Sequence, residues 1–211
     1  MVELLVVVAI IVTVVALLFP AIASVRNRTA QAREMATARN LVTAWTSYAT
    51  ENGGAVIPGY KNGLPAFDQN GTAIAQATIG VAAARYPWRL APYLSFNFRA
   101  LYIDDNLKTL QDLEQSDYSN YLYQTSVFPS LGLNTTWVGG DETQGGFNPA
   151  YLNAYGKFYI TRLSEARNPA SLIAFGSARG IDANPGQVGE LTEGYFRVRS
   201  PFFTASQWAE R

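Results

Sequence analysis

The hydrophobic and polar positions of the chain begin with one long apolar stretch. Residues 4–25 form a run of 22 residues without a charge, bounded by Glu3 and Arg26. A helix of that length reaches about 33 Å, which is enough to cross a hydrocarbon core. In lipid a helix satisfies its own backbone, whereas a single strand does not. The run therefore predicts a membrane-spanning helix. A cleaved signal peptide, which is shorter and has a basic start, is the alternative.

Beyond Arg26 the pattern becomes that of a one-sided helix. Apolar residues recur there at spacings of three and four, so they share one helical face. That predicted packing face consists of Met35, Ala38, Val42, Trp45 and Ala49, and Leu41 and Tyr48 widen it. Asn52 and the Gly53-Gly54 pair supply a stop signal. We predict one helix over about residues 2–51, disturbed at Pro20, which spans the membrane in residues 1–25 and is amphipathic in residues 26–52.

The remaining residues, 53–211, are richer in turn formers and aromatics. A helix is predicted from Asp104 or Asp105, as N-cap, to about Tyr123. Four β-branched or aromatic segments predict strands. They are Leu133–Val138, Lys157–Leu163, Ser171–Phe175 and Tyr195–Arg199. The predicted fold class is therefore α+β, with a long N-terminal membrane-spanning helix followed by a globular domain built on a mostly antiparallel β-sheet.

Composition and charge narrow the function classes. The 211 residues include no His and no Cys, which removes Ser-His-Asp and Cys-His catalysis, His or thiolate metal ligation and disulfides. Sixteen Lys and Arg balance 16 Asp and Glu, so no excess of cations exists to displace counterions from nucleic-acid phosphates. We expect a protein that is not an enzyme, carries no cofactor and does not bind nucleic acid.

The sequence contains one weak candidate for a metal site. Asp141 and Glu142 follow Gly139-Gly140 in a glycine-rich loop, and their oxygens could bind Ca²⁺. The alternating acids of a dedicated calcium loop are missing, and an ordinary turn is the alternative reading. Four Trp and 12 Tyr could form a sugar-stacking face, although core and subunit contacts are the commoner use of such residues.

The N-terminal quarter of the chain resembles a known family. The segments VELLVVVAIIVTVVALLFPAI and ARNLVTAWTSYATENGG are similar to the N-termini of type IV pilins and type II secretion pseudopilins. The resemblance rests on the Glu3 start, the apolar run, Pro20, the Arg39-Asn40-Leu41 step and Tyr48 before the glycine pair. Family precursors carry a basic leader that is absent before Met1, and relatives often continue into further C-terminal strands, so we expect a leader and some strands to be missing.

The resemblance implies a structural role. It implies a membrane-anchored subunit of a type II secretion or type IV pilus-like filament, with a single pass through the cytoplasmic membrane and a periplasmic or extracellular globular domain. Expected partners are other pilin or pseudopilin subunits, membrane lipid and, where a leader exists upstream, a prepilin peptidase. In the family the acid equivalent to Glu3 pairs with the N-terminal amine of a neighbouring subunit, so Glu3, with Pro20, is the expected assembly site.

A second function class stays open at this point. The chain could be a single-span envelope protein whose outer domain binds carbohydrate or another ligand without polymerising. An in-frame basic leader upstream would favour the filament subunit, and a plain start at Met1 would favour the ligand-binding protein.

Overall fold

The computed structural model describes residues 2–103, 106–181 and 191–198. Helix α1, Val2–Glu51, is continuous over 50 residues. It ends where the sequence predicts, because Gly53 and Gly54 adopt positive φ angles of 62° and 85°. The amide of Gly54 donates to the carbonyl of Ala49 at 2.6 Å, which satisfies one of the last free carbonyls of the helix. The chain forms two compact units, which divide between Ala36 and Thr37.

Short helices dominate the second unit. They are α2 (Gln76–Ile79), α3 (Tyr86–Leu90), α4 (Asn106–Ser116), α5 (Tyr118–Val127) and α6 (Pro149–Tyr155). Short 3₁₀ segments in the described part of the chain lie between or after these helices: Gly80–Ala84, Ala91–Leu94, Phe98–Leu101, Glu142–Gln144, Leu163–Glu165 and Pro169–Ser171. The helix that the sequence predicts from Asp104 or Asp105 to Tyr123 is divided in two at Asp117, whose carboxylate accepts from the amide of Asn120 as the N-cap of α5. The predicted cap at Asp104 or Asp105 lies outside the described residues.

The strands of the described part are short and form two-stranded sheets. Strand β1 (Leu131–Leu133) pairs antiparallel with β2 (Phe175–Ser177), with Leu131 opposite Ser177. Strand β3 (Arg179–Ile181) pairs antiparallel with β4 (Leu191–Glu193), with Arg179 opposite Glu193. Elsewhere in the predicted strand segments, Val138 and Ile160 form a single bridge, as do Leu133 and Arg197. Those two bridges are parallel, and the antiparallel ladders do not extend into one sheet.

The predicted fold class is wrong. The structure is 58% helical with only 11% of its residues in strands, so no mostly antiparallel sheet organises the described part of the globular unit. A physical reason is visible at Leu133–Val138, where Thr135 turns its hydroxyl inward to donate to the Asp141 carboxylate. The chain turns at residues 135–137 instead of continuing as a strand. A β-branched run predicts a strand only when its polar members do not find such local partners.

The prediction of a membrane span is also wrong. Among the described residues, no helix combines the length and the apolar character needed to cross a membrane. The predicted single-pass localisation in the cytoplasmic membrane rested on the length of the uncharged run, so it is wrong as well.

The core of the second unit lies around the C-terminal part of α1. Leu41 is fully buried there and Trp45 is 7% exposed. Their neighbours in the same core come from several helices and from β1, and include Tyr86, Trp88, Leu90, Phe98, Leu101, Leu122 and Leu133. The Tyr86 hydroxyl donates to the Leu131 carbonyl at 2.6 Å, and the Trp88 indole donates to the Leu122 carbonyl at 3.2 Å, whereas the indole nitrogen of Trp45 is buried without a hydrogen-bond partner among the described residues. The core thus joins α1 firmly to the helices that follow it.

Candidate functional site

The first unit consists of a helical segment whose apolar side chains are exposed. Thirteen of its Val, Leu, Ile and Phe side chains are between 43% and 76% exposed. They are Val2, Leu4, Val6, Val7, Val8, Ile10, Ile11, Val12, Val14, Val15, Phe19, Ile22 and Val25. Monomeric proteins rarely present so much contiguous apolar surface to water, and such patches mark interaction sites. We call this group the apolar segment.

The apolar segment has no polar face. Successive residues of a helix point about 100° apart, so Val6, Val7 and Val8 already point in three widely different directions. The same is true of Ile10, Ile11 and Val12, and all six are more than half exposed. The hydroxyl of Thr13 is turned to its own helix, where it donates to the carbonyls of Ala9 and Ile10 at 3.0 and 2.8 Å. A helix that is hydrophobic on every side requires neighbours on every side.

The two predicted assembly residues lie within this helix. Glu3 occupies the first turn of α1 and its side chain is exposed. A negative charge in that position is favoured by the helix dipole. Pro20 lies inside α1, and the backbone remains helical across it. The apolar segment is followed by cationic residues, of which Arg28 and Arg33 are exposed.

The predicted packing face of α1 is partly wrong. Trp45 and Ala49 are buried and Ala38 packs against the core, but Met35 is 57% exposed and Val42 is 45% exposed. The face that is buried in the second unit runs through Thr37, Leu41, Ala44, Trp45, Tyr48 and Ala49. Its centre is rotated from that of Met35, Ala38, Val42, Trp45 and Ala49 towards the side of Leu41 and Tyr48, by less than the angle between two consecutive residues. Thr37 lies on the observed face although it is polar, and its hydroxyl donates to the Ala100 carbonyl at 3.1 Å.

The calcium candidates have other partners. Asp141 is fully buried, and Arg197 donates to its Oδ2 at 2.9 Å. Thr135 donates to the same oxygen, and the amide and hydroxyl of Thr143 donate to Oδ1. Glu142 accepts from the side-chain amide of Asn62. Asp141 therefore belongs to a buried ion pair, and in the described part of the chain no group of three or more acidic residues is placed to hold a metal ion.

Sequence reasoning missed a second buried cation beside this pair. Arg85 is only 8% exposed and donates to the Ser126 hydroxyl at 2.7 Å. Its guanidinium carbon lies 5.0 Å from the ring centroids of both Tyr123 and Phe196, and that of Arg197 lies 5.1 Å from Phe196. Desolvation lowers the pKa of Arg85. No local pattern signals this cluster, because its members are far apart in sequence and meet only in the folded core.

A shallow groove follows the outer side of α1 near its end. Its volume is about 410 Å³. It is lined by Val42, Thr43, Thr46, Ser47, Thr50 and Glu51, and we call it the threonine groove. Val42, Thr43, Thr46 and Thr50 are exposed. The groove was not predicted, because of its residues only Val42 belongs to the apolar pattern with spacings of three and four.

Comparison with known proteins adds no family to these observations. No family model, curated protein or solved structure matches the chain.

Proposed function

We propose that the chain is a structural subunit of a pilin-like filament, of the type IV pilus or type II secretion kind, whose copies assemble through the apolar segment of α1. The observation that carries the proposal is the exposure of thirteen large apolar side chains on all sides of that segment. The resemblance of residues 2–54 to pilin N-termini supports the same role.

The distribution of the apolar side chains favours a bundle over a dimer. Two helices that pair through one seam bury a narrow stripe on each partner and leave the other faces polar. The apolar segment has no such division, since consecutive residues from Val6 to Val8 and from Ile10 to Val12 are all apolar and exposed. Several copies packed side by side bury all of these faces together, as a filament core does.

A cysteine scan tests the proposal directly, because the natural chain contains no Cys. Single variants Val6→Cys, Val7→Cys and Val8→Cys are treated with a short bismaleimide, and covalent dimers are resolved on denaturing gels. We expect crosslinks from all three consecutive positions, whereas a two-helix seam gives them from only one or two. Electron microscopy of the same samples should show regular filaments.

The matched control is Asn153→Cys, an exposed position on α6. It reports crosslinking by random collision. If the three helix variants crosslink no more than this control, or if they crosslink only in amorphous material without filaments, the proposal is wrong.

A further inference from the structure

The chain contains three asparagines that are each followed by a glycine, namely Asn52, Asn62 and Asn70. In such a pair the backbone nitrogen of the glycine can attack the side-chain carbonyl carbon of the asparagine, because no Cβ hinders its approach. The attack releases ammonia and changes the side-chain amide into an acid, which adds a negative charge to the chain. A nitrogen that is already hydrogen-bonded, or whose backbone is held on both sides, is poorly placed for this reaction.

The pair of Asn70 and Gly71 is held within a turn. The amide of Gly71 donates to the Asp68 carbonyl at 3.0 Å, and the amide of Asn70 donates to the Asp68 carboxylate at 2.8 Å. The nitrogen that would attack is therefore engaged, and the residue before it is fixed.

The pair of Asn52 and Gly53 is held at the end of α1. The side-chain amide of Asn52 donates to the Tyr48 carbonyl at 2.8 Å, which keeps the side chain folded back on the helix. The Asn52 carbonyl accepts from the Ala55 amide at 3.1 Å, and the Gly53 carbonyl accepts from Arg162 at 2.7 Å. The backbone on both sides of the attacking nitrogen is therefore fixed.

The pair of Asn62 and Gly63 differs from the other two. Both residues are exposed, and neither forms a backbone hydrogen bond within the described part of the chain. A Cβ placed on Gly63 would meet no atom within 4 Å, so the space around this glycine is open. The side-chain amide of Asn62 donates to the Glu142 carboxylate, while the Gly63 nitrogen stays accessible.

We infer that Asn62 is a site of spontaneous deamidation, which reacts faster than Asn52 and Asn70. The Gly63 nitrogen loses its proton to hydroxide and forms a bond to Cγ of Asn62, and the bond from Cγ to Nδ2 breaks. Nδ2 leaves as ammonia with a proton from water. A further water molecule opens the resulting five-membered imide to aspartate or isoaspartate, so the reaction needs only water and hydroxide.

The reaction has a structural consequence, because residues 60–62 lie beside the loop that contains Asp141. The Tyr60 amide donates to the Gly140 carbonyl at 3.0 Å, and the Glu142 amide donates to the Tyr60 carbonyl at 3.1 Å. Deamidation replaces the donor that faces Glu142 with a second carboxylate, so a hydrogen bond is lost and two like charges are left together. The contact between residues 60–62 and 140–142 is weakened as a result.

Mass spectrometry of the purified full chain tests which asparagine reacts. The chain is kept in mildly alkaline buffer and digested with trypsin, and fragment ions give the converted fraction at each asparagine over time. We expect Asn62 to be converted at least about fivefold faster than Asn52 or Asn70, the kinetic equivalent of one protein hydrogen bond. Asn62→Gln keeps the amide but must form a larger ring, so the fast reaction should disappear. If Asn52 or Asn70 is converted as fast as Asn62, the inference is wrong.

The variant Asn62→Asp has the charge of the product and measures the structural consequence. We expect its urea midpoint to fall by about 0.5 M relative to wild type, because one hydrogen bond is lost. Asn153→Asp, at an exposed position on α6, is the matched control and should unfold at the wild-type midpoint. If the two variants unfold at the same midpoint, the weakening inferred at Glu142 is wrong.

Discussion

At the scale of single residues, the buried pair of Asp141 and Arg197 is the most sensitive point of the second unit. Their side chains are 0% and 9% exposed, and both oxygens of Asp141 accept hydrogen bonds. Asp141→Asn leaves the guanidinium buried without a counter-charge, so we expect it to lower the free energy of unfolding by about 3 kcal/mol. Urea denaturation measures the loss. Asp112→Asn on α4, which is exposed, is the control and should change stability by less than about 0.5 kcal/mol. Equal stability of the two variants would contradict the structural role given to the pair.

Glu165 gives a prediction about pH. The Lys157 ammonium lies 2.8 Å from its carboxylate, and this bond together with the amide of Thr161 lowers the pKa of Glu165 from 4.5 to about 2. Because the folded pKa lies below the unfolded one, the carboxylate stabilises the fold above pH 4.5, and the contribution disappears as the pH falls towards 2. Its side chain is 35% exposed, so the effect stays below about 1 kcal/mol.

The comparison that isolates this effect is wild type against Glu165→Gln. Urea midpoints should favour wild type at pH 7 and converge near pH 2. A difference that is constant across that range would show that the loss comes from the shape of the side chain and not from its charge.

Substitution of Glu3 is the most direct single-residue test of the assembly hypothesis. A carboxylate placed among packed apolar helices needs a partner, and the pilin resemblance implies the N-terminal amine of a neighbouring copy. Glu3→Ala should leave the second unit folded and reduce the sedimentable polymer at least about tenfold, as expected when one member of a buried charge pair is removed. Glu3→Asp, with its shorter side chain, should be intermediate. The amounts are compared at equal protein concentration after ultracentrifugation, and equal recovery of wild type and Glu3→Ala would remove Glu3 from the assembly mechanism.

At the scale of the element, two neighbouring residues of α1 report the rotation of its packing face. Leu41 is fully buried, whereas Val42 is 45% exposed in the threonine groove. Leu41→Ala removes buried methyl groups and should cost about 3 kcal/mol of unfolding free energy. Val42→Ala should cost less than about 1 kcal/mol. Chemical denaturation of both variants tests the observed face, since the predicted face contained both residues and a loss at Val42→Ala as large as that at Leu41→Ala would contradict the exposure of Val42.

The same helix shows what a sequence reveals about structure and what it does not. Its extent and its end at Gly53 follow from local signals, namely continuous helical patterning and glycines that adopt positive φ. The buried face is settled by the partner surface, and a rotation of less than one residue lies within what 3-4 spacing allows. The predicted strand at Leu133–Val138 is wrong for a related reason. Thr135 and Val138 have the composition of a strand, but the Thr135 hydroxyl donates to the buried carboxylate of Asp141, six residues later, and the chain turns there.

The candidate sites also differ in whether local sequence patterns could predict them. The apolar segment is evident in the sequence as a run of 22 residues without a charge, although that run predicts a membrane span that is not found among the described residues. The Asp141–Arg197 pair and the position of Arg85 between Tyr123 and Phe196 could not be predicted, because they join residues up to 111 positions apart, from Arg85 to Phe196. Non-local contacts of this kind are set by the packed core and leave no periodic signal in the chain.

At the scale of the whole molecule, the segment proposed for assembly and the buried core belong to different compact units. The buried core belongs to the unit that begins at Thr37, and the exposed apolar segment belongs to the unit that ends at Ala36. Substitutions in the apolar segment should therefore change association without changing the cooperative unfolding of the second unit. Substitutions at Leu41 or Asp141 should do the reverse.

Deletion of residues 2–25 tests this separation in one step. The shortened chain keeps all of the described core, including Leu41 and Trp45, so it should unfold at the same urea concentration as the full chain. It loses the thirteen exposed apolar side chains, so analytical ultracentrifugation should show a monomer over the whole concentration range in which the full chain forms polymer. A deletion variant that still polymerises would place the assembly surface in the second unit and contradict the role proposed for the apolar segment.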